Sequence, residues 1–183
     1  MKRAFPIAAV LLASVACSQV DGPPPAVRSA DPAAPVANVL QLPDLRQPEA
    51  GIYTSGRLDA SDVARLHAAG VRQVVDLSLD AETPDFDEAA AMREAGISYD
   101  ALPIAGADAL TRGNVEAFDS LLRDARGPVL VHCGSGNRVG AMAALRAAWI
   151  EGQPAESAIE EGKAWGLQSL EPKVRDLLEA PAR

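Results

Sequence analysis

The segment Val129-Leu-Val-His-Cys-Gly-Ser-Gly-Asn-Arg138 decides how the rest of the sequence is interpreted. It begins with a short apolar run, which is typical of a strand buried inside a parallel sheet. The two glycines that follow allow a tight turn in which backbone N–H groups converge on one anion before a helix begins. The segment therefore predicts a strand, an anion-binding loop and a helix, in that order.

Cys133 is the candidate nucleophile of this loop. Ligands of open α/β sheets bind beyond the carboxyl ends of the strands, where Cys133 is expected to lie. The N–H groups of residues 134–138 and the positive end of the next helix favour a thiolate. The planar fork of Arg138 can bind two oxygens of a tetrahedral anion. The alternative is a tight structural turn that contains an inert buried cysteine.

From Gly51 onward, short apolar runs alternate with helical segments, a pattern typical of βα units and a parallel sheet. Predicted strands begin near residues 52, 71, 97 and 129, and predicted helices near 61, 84, 111, 139, 155 and 170. Ser61 and Thr111 are candidate N-caps. We therefore predict a single α/β domain over residues 49–183, with a mostly parallel sheet of four to five strands flanked by helices.

The balance of charges limits the possible partners. The 183 residues include 17 Lys+Arg and 25 Asp+Glu, which gives a net charge of −8. Without a long basic run, this balance argues against nucleic acid as a partner. A small anionic substrate then needs a locally positive pocket built from N–H groups and arginines. No metal-ligand cluster is visible in the sequence.

The N-terminus is typical of an export signal. Lys2 and Arg3 precede an apolar run over residues 4–16, which is too short to span a bilayer but suits a signal peptide. Residues 1–16 are therefore predicted to be removed. The new N-terminal residue, Cys17, follows a segment that resembles a bacterial lipoprotein signal, which implies lipidation and attachment to the periplasmic side of a bacterial membrane. Soluble secretion and a buried N-terminal helix are the alternatives.

Residues 17–48 are rich in proline and alanine and lack a sustained apolar period, so we predict a tether between the membrane and the domain. Without a lipid, the same stretch is a disordered arm. If Cys17 carries a lipid, Cys133 has no partner for an intramolecular disulfide.

The loop also resembles the signature loop of cysteine-dependent protein tyrosine and dual-specificity phosphatases. Those families place five residues between cysteine and arginine, whereas four separate Cys133 from Arg138, as in rhodanese-type sulfurtransferase loops. The phosphatase-like domain of beta-lactamase hydrolase-like proteins has the same short loop. Resemblance to that domain covers most of residues 51–166, including Ile52-Tyr-Thr-Ser-Gly56, Val75-Asp-Leu77, Leu102-Pro-Ile104 and Ser135-Gly-Asn-Arg-Val-Gly-Ala141.

This resemblance implies a protein tyrosine phosphatase-like fold, no cofactor, and hydrolysis of a phosphorylated or other small tetrahedral-anion substrate. In that scheme Cys133 attacks phosphorus. The substrate oxygens are bound by the loop residues Gly134, Ser135, Gly136, Asn137 and Arg138. His132 supports the loop, and Asp108 protonates the leaving oxygen.

Several alternatives to this scheme stay open. Asp108 can equally be a solvated loop residue or a capping group. Val139 stands where phosphatases usually have Ser or Thr. The short loop and Val139 favour a sulfurtransferase that carries a persulfide on Cys133, and a third alternative is an inactive phosphate-binding module.

Overall fold

The structure of the chain, a computed structural model, describes residues 40–180. Its strands are β1 (Arg46–Glu49), β2 (Ile52–Ser55), β3 (Gln73–Asp76), β4 (Ser98–Ala101) and β5 (Val129–His132). They form one sheet in the order β1-β2-β5-β3-β4, in which only β1 runs antiparallel to its neighbour. The predicted α/β class and the mostly parallel sheet are confirmed.

Six helices flank the sheet in the described part of the chain. They are α1 (Asp62–Ala68), α2 (Glu88–Glu94), α3 (Arg112–Asp124), α4 (Asn137–Trp149), α5 (Ala155–Trp165) and α6 (Glu171–Glu179). Short 3-10 turns follow β3 at Asp80–Glu82 and β4 at Ala107–Ala109. Among residues 40–180, no helix has both the length and the apolar character needed to cross a membrane.

The central strand β5 is buried on both faces because helices cover both sides of the sheet. Its side chains alternate between two hydrophobic cores, as the period of a strand requires. Leu130 packs in the core that α1 and α2 cover, with Tyr53 and Val74. Val129 and Val131 pack in the larger core under α3 to α6. This two-sided packing fixes the strand end that leads to Cys133.

The folded domain begins earlier than the predicted start at residue 49. Leu40 and Leu42 are buried in the core beside Leu58 and Leu66. β1 then pairs with β2 at the edge of the sheet. The predicted tether over residues 17–48 is therefore wrong from Leu40 onward, because two isolated leucines and a four-residue edge strand give no apolar period. The predicted signal peptide, Cys17 and the rest of the tether lie outside the described residues.

One of the two predicted N-caps is correct. The Thr111 hydroxyl accepts a hydrogen bond from the Asn114 N–H, at 3.3 Å, and so caps α3. Ser61 does not cap α1; its hydroxyl donates instead to Asp59 Oδ1, at 2.6 Å. That prediction was wrong because Ser61 has helical backbone angles (φ −74°, ψ −19°), whereas a capping residue has extended ones that turn its oxygen toward the N–H groups of the first turn.

Gly140 allows α4 to pack closely against α5 and the segment that follows it. A Cβ atom at residue 140 would lie 1.9 Å from the Leu167 backbone nitrogen and 2.6 Å from the Gly162 carbonyl oxygen. These neighbours are backbone atoms, so a side chain cannot displace them without moving the helices. Glycine at this position therefore sets the distance between the two helices.

We expect Gly140→Ala to lower the free energy of unfolding by about 1–3 kcal/mol, because the added methyl group would overlap rigid backbone atoms. Urea denaturation measures the change. Gly113→Ala is the matched control: Gly113 lies in α3, and a methyl group added there would meet nothing within 4 Å. Gly113→Ala should raise the free energy of unfolding by about 0.5–1 kcal/mol. Equal stability of the two variants would contradict the packing argument.

Candidate active site

Cys133 lies directly beyond the carboxyl end of β5, and only 1% of its surface is exposed. The loop that follows turns through Gly136, whose φ of 78° is left-handed and favours glycine. α4 then begins at Asn137, so Arg138 lies in its first turn. The predicted order of strand, loop and helix is present. The positive end of α4 therefore lies beside the thiol.

Backbone hydrogen bonds hold this loop to its neighbours. The Leu77 N–H donates to the His132 carbonyl at 2.9 Å, and the Arg57 N–H donates to the Gly134 carbonyl at 3.4 Å. These bonds come from the ends of β3 and β2, the two strands beside β5. The loop is thus fixed from both sides by the sheet.

Arg138 is held by a carboxylate and by two backbone carbonyls. Its Nη1 lies 2.7 Å from Glu82 Oε1, and its Nη2 lies 2.6 Å from Glu82 Oε2, so the ion pair is bidentate. Nη1 also donates to the carbonyls of Ile104, at 3.0 Å, and Leu77, at 3.3 Å. The guanidinium therefore has one well-defined orientation.

These contacts leave part of the guanidinium available to a ligand. Of its five N–H donors, Nε–H and one Nη2–H donate to no oxygen atom of the described residues. The hydrogen bonds that Arg138 donates to the Glu82 carboxylate raise the pKa of Arg138 above its ordinary value, and the neighbouring Cys133 side chain is a smaller cause. The two remaining N–H groups have the geometry of a fork that can accept two oxygens of a tetrahedral anion as partners.

Glycine at position 134 leaves room for this guanidinium. A Cβ atom there would lie 3.3 Å from Arg138 Nη2 and 3.6 Å from Glu82 Oε2. The glycines of the loop therefore do more than permit a turn. Gly134 lets the ion pair approach the backbone that surrounds Cys133.

The side chain of Asn137 binds protein instead of pointing into the loop. Its Oδ1 accepts the N–H groups of Gln168, at 2.8 Å, and Leu170, at 3.3 Å, and its Nδ2 donates to Ser169 Oγ. Asn137 thus connects the loop to the segment between α5 and α6. Its predicted part in substrate binding rests on its backbone N–H alone.

His132 ends β5 and is buried together with two carboxylates. Its Nε2 lies 2.8 Å from Glu88 Oε1 and 3.4 Å from Asp76 Oδ1. Sequence reasoning found no such cluster, because the three residues lie in three separate segments of the chain. The predicted supporting role of His132 stays a prediction.

Asp108 lies in the 3-10 turn at Ala107–Ala109 and is exposed. It is on the loop that starts at Ile104, whose carbonyl binds Arg138. It also borders a groove of about 780 Å³ with Arg112, Trp149 and Lys173, and no residue of 132–138 lines that groove. The structure thus places Asp108 on a loop that touches the arginine, beside a groove that Cys133 does not line. Its role as the acid stays a prediction.

Glu82 is the site residue that sequence reasoning missed. It lies in an acidic loop that looks like a solvated surface segment. The order of the strands could have identified it, since a loop after β3 meets a loop after β5 at the same edge of a parallel sheet.

The Arg138 hydrogen bond lowers the pKa of Glu82 to about 2 from its ordinary 4.5, with the Leu79 N–H and the charges of Arg138 and Arg57 as smaller causes. A lowered carboxylate pKa stabilises the fold above pH 4.5, and this stabilisation is lost as the pH falls toward about 2. We expect Glu82→Gln to lower the free energy of unfolding by about 1.5–3 kcal/mol at pH 7, the range for hydrogen bonds to charged groups.

The free energy of unfolding of Glu82→Gln should approach that of the wild-type chain as the pH falls from 4.5 to 2. Urea denaturation at several pH values in that range measures the difference. Glu94→Gln removes an exposed carboxylate from α2 and serves as the control. A Glu82→Gln penalty that stays constant with pH would contradict the ion pair.

Residues 44–150 match the model of a family described as the phosphatase-like domain of the beta-lactamase hydrolase-like protein. A curated beta-lactamase hydrolase-like protein of Xylella fastidiosa is 33% identical over 88 residues, which is 46% of this chain and 20% of the relative. The match therefore spans about a fifth of that relative's length.

Two solved structures are similar to this one. A Neisseria meningitidis protein solved as a candidate phosphatase has a TM-score of 0.62 and 24% identity, and the match covers 73% of this chain and 95% of the other. TpbA of Pseudomonas aeruginosa, solved with phosphotyrosine in a cysteine-to-serine variant, has a TM-score of 0.59 and 25% identity, with 75% and 83% covered. These similarities, together with further solved tyrosine phosphatases, confirm the predicted fold.

Proposed function

We propose that the chain, which belongs to the family of the phosphatase-like domain of beta-lactamase hydrolase-like proteins, is a cysteine-dependent phosphatase that hydrolyses phosphate monoesters. The observation that carries the proposal is the guanidinium of Arg138. Glu82 and two carbonyls orient it, while two of its N–H groups stay available beside the Cys133 loop. That arrangement suits a phosphoryl group with two equatorial oxygens in the plane of the fork.

The mechanism that we propose has two steps. The Cys133 thiolate attacks phosphorus, an S–P bond forms, and the P–O bond to the leaving group breaks. Asp108 gives its proton to the leaving oxygen. A water molecule then attacks phosphorus, the S–P bond breaks, Asp108 takes up the water proton, and inorganic phosphate leaves. Arg138 and the N–H groups of residues 134–138 stabilise the charge on the transferred group throughout.

Aryl phosphates are the substrate class we propose first. TpbA was solved with phosphotyrosine, and it shares 25% of its aligned residues with this chain. Phosphotyrosine also has a better leaving group than phosphoserine, so its hydrolysis depends less on protonation of the leaving oxygen by an acid.

Replacement of the nucleophile tests the proposal. We expect Cys133→Ser to abolish phosphate release from p-nitrophenyl phosphate, and Arg138→Lys to reduce kcat/KM by about 10²–10³, since a point charge replaces the fork. Cys17→Ser and Arg123→Lys, an exposed arginine of α3, should leave the rate unchanged. Phosphate release that survives Cys133→Ser would refute the cysteine mechanism.

Substrates with different leaving groups test the role of Asp108. We expect Asp108→Asn to slow hydrolysis of alkyl phosphates by about 10²–10⁴ and to affect p-nitrophenyl phosphate much less, because a good leaving group departs without a proton. Asp124→Asn, at an exposed position of α3, is the control. If the loss is the same for every leaving group, Asp108 is not the acid.

The four-residue spacing between Cys133 and Arg138 favours the sulfurtransferase alternative. In that reaction the Cys133 thiolate takes the outer sulfur of thiosulfate, which releases sulfite and leaves a persulfide on Cys133, and the persulfide passes that sulfur to cyanide, which yields thiocyanate. Thiocyanate formation without phosphate release would replace the proposed function. If neither reaction occurs while phosphate raises the Tm, the domain is a binding module.

We also propose that the chain is exported and attached to a membrane by a lipid on Cys17, since residues 1–17 resemble a lipoprotein signal. Fractionation of bacterial cells should find the full chain with membranes and the Cys17→Ser variant in the soluble periplasmic fraction. A variant that stays with the membranes would refute the anchor.

A further inference from the structure

Asp76, Glu88 and His132 form a buried cluster beneath the Cys133 loop. They come from the end of β3, the start of α2 and the end of β5, and their exposed fractions are 6%, 4% and 1%. One side-chain ligand atom from each lies within 4.8 Å of the others. The cluster is separate from the guanidinium site, which Glu82 and Arg138 form.

Hydrogen bonds do not explain the arrangement. His132 Nε2 lies only 2.8 Å from Glu88 Oε1, yet the ring N–H does not point at that oxygen. Among the described residues, neither nitrogen of His132 and neither oxygen of Glu88 has a hydrogen-bond partner. A buried carboxylate without a partner is strongly destabilising. The close approach without hydrogen-bond alignment leaves both atoms available to a ligand at a common third position.

The distances fit a metal ion at that position. Imidazole nitrogen and carboxylate oxygen bind Zn²⁺ at about 2.0–2.2 Å. Two such ligands at octahedral or tetrahedral angles lie about 2.8–3.6 Å from each other. The observed separations of His132 Nε2 from Glu88 Oε1 and Asp76 Oδ1 are 2.8 and 3.4 Å. The ligand atoms of Asp76 and Glu88 also lie within 4.8 Å of each other.

Other groups already orient Asp76. Its Oδ1 accepts the Ser78 N–H at 2.7 Å, and its Oδ2 accepts the Tyr99 hydroxyl at 2.9 Å. Outer hydrogen bonds of this kind fix the ligands of metal sites.

An acidic groove connects the cluster with solvent. Its volume is about 450 Å³, and Asp76 and Glu88 line it together with Tyr99 and the exposed Asp80 and Asp87. No lysine or arginine of the described chain lines this groove. Its walls attract cations and lead them to the two buried carboxylates.

We propose that Asp76, Glu88 and His132 bind a divalent transition-metal ion, with zinc the best match to one imidazole and two carboxylates. Three protein ligands leave a fourth position that faces the groove. Because His132 precedes Cys133 directly, the bound ion would hold the start of the loop in place. This proposal does not depend on the phosphatase reaction.

Metal binding by the full-length chain tests the proposal. The probe is Zn²⁺, added to protein stripped with EDTA and dialysed, with the bound metal counted by mass spectrometry and the affinity measured by calorimetry. A Cys17→Ser, Cys133→Ser variant removes both thiols as competing ligands. We expect one zinc per chain in both proteins, and a Co²⁺ spectrum without a thiolate charge-transfer band. No stoichiometric zinc, or zinc that is lost with the two thiols, would overturn the proposal.

Single ligand substitutions give the second arm. Even outer partners of metal ligands contribute about 10–100-fold to affinity, so Glu88→Gln and Asp76→Asn should each weaken zinc binding at least tenfold. Glu94→Gln, on the exposed face of α2, and His67→Gln, the other histidine, should bind as the wild type does. Far-UV circular dichroism identifies which of the two ligand variants are folded. Unchanged affinity in a folded ligand variant would refute the site.

Discussion

The bidentate ion pair between Arg138 and Glu82 connects the chain segments that surround Cys133. Arg138 comes from the helix after β5, Glu82 from the loop after β3, and the carbonyl of Ile104 from the segment after β4. A guanidinium with one carboxylate and two carbonyls as acceptors cannot rotate without breaking several hydrogen bonds. The fold alone thus fixes the orientation of the fork that we propose for anion binding.

This ion pair depends on the central position of β5. β2 and β3 hold the strand on both edges, and its side chains are packed into both cores. The packing of the strand therefore restricts the positions of His132, Cys133 and Arg138. On the far side of the loop, Asn137 and the close contact at Gly140 hold α4 against the segment after α5.

Local patterns in the sequence predicted the features that depend on neighbouring residues. The apolar run before Cys133, the loop glycines and the Thr111 cap are local signals, and each is present in the structure. Glu82 and the cluster of Asp76, Glu88 and His132 could not be recognised in the same way. Glu82 lies 56 residues along the chain from its partner, Arg138. The three residues of the cluster come from three different elements. β1 was missed for a related reason, since a four-residue edge strand that contains Pro48 has no alternating pattern.

The short loop leaves one chemical question, namely whether Cys133 receives phosphorus or sulfur. A covalent intermediate answers it directly. The protein can be mixed with excess aryl phosphate, quenched in acid within one turnover and digested, and the peptide that contains Cys133 then examined by mass spectrometry. We expect a phosphate adduct on Cys133 that is absent from Cys133→Ser. Rapid phosphate release with an unmodified Cys133 peptide, or an adduct on another residue, would contradict the phosphocysteine mechanism.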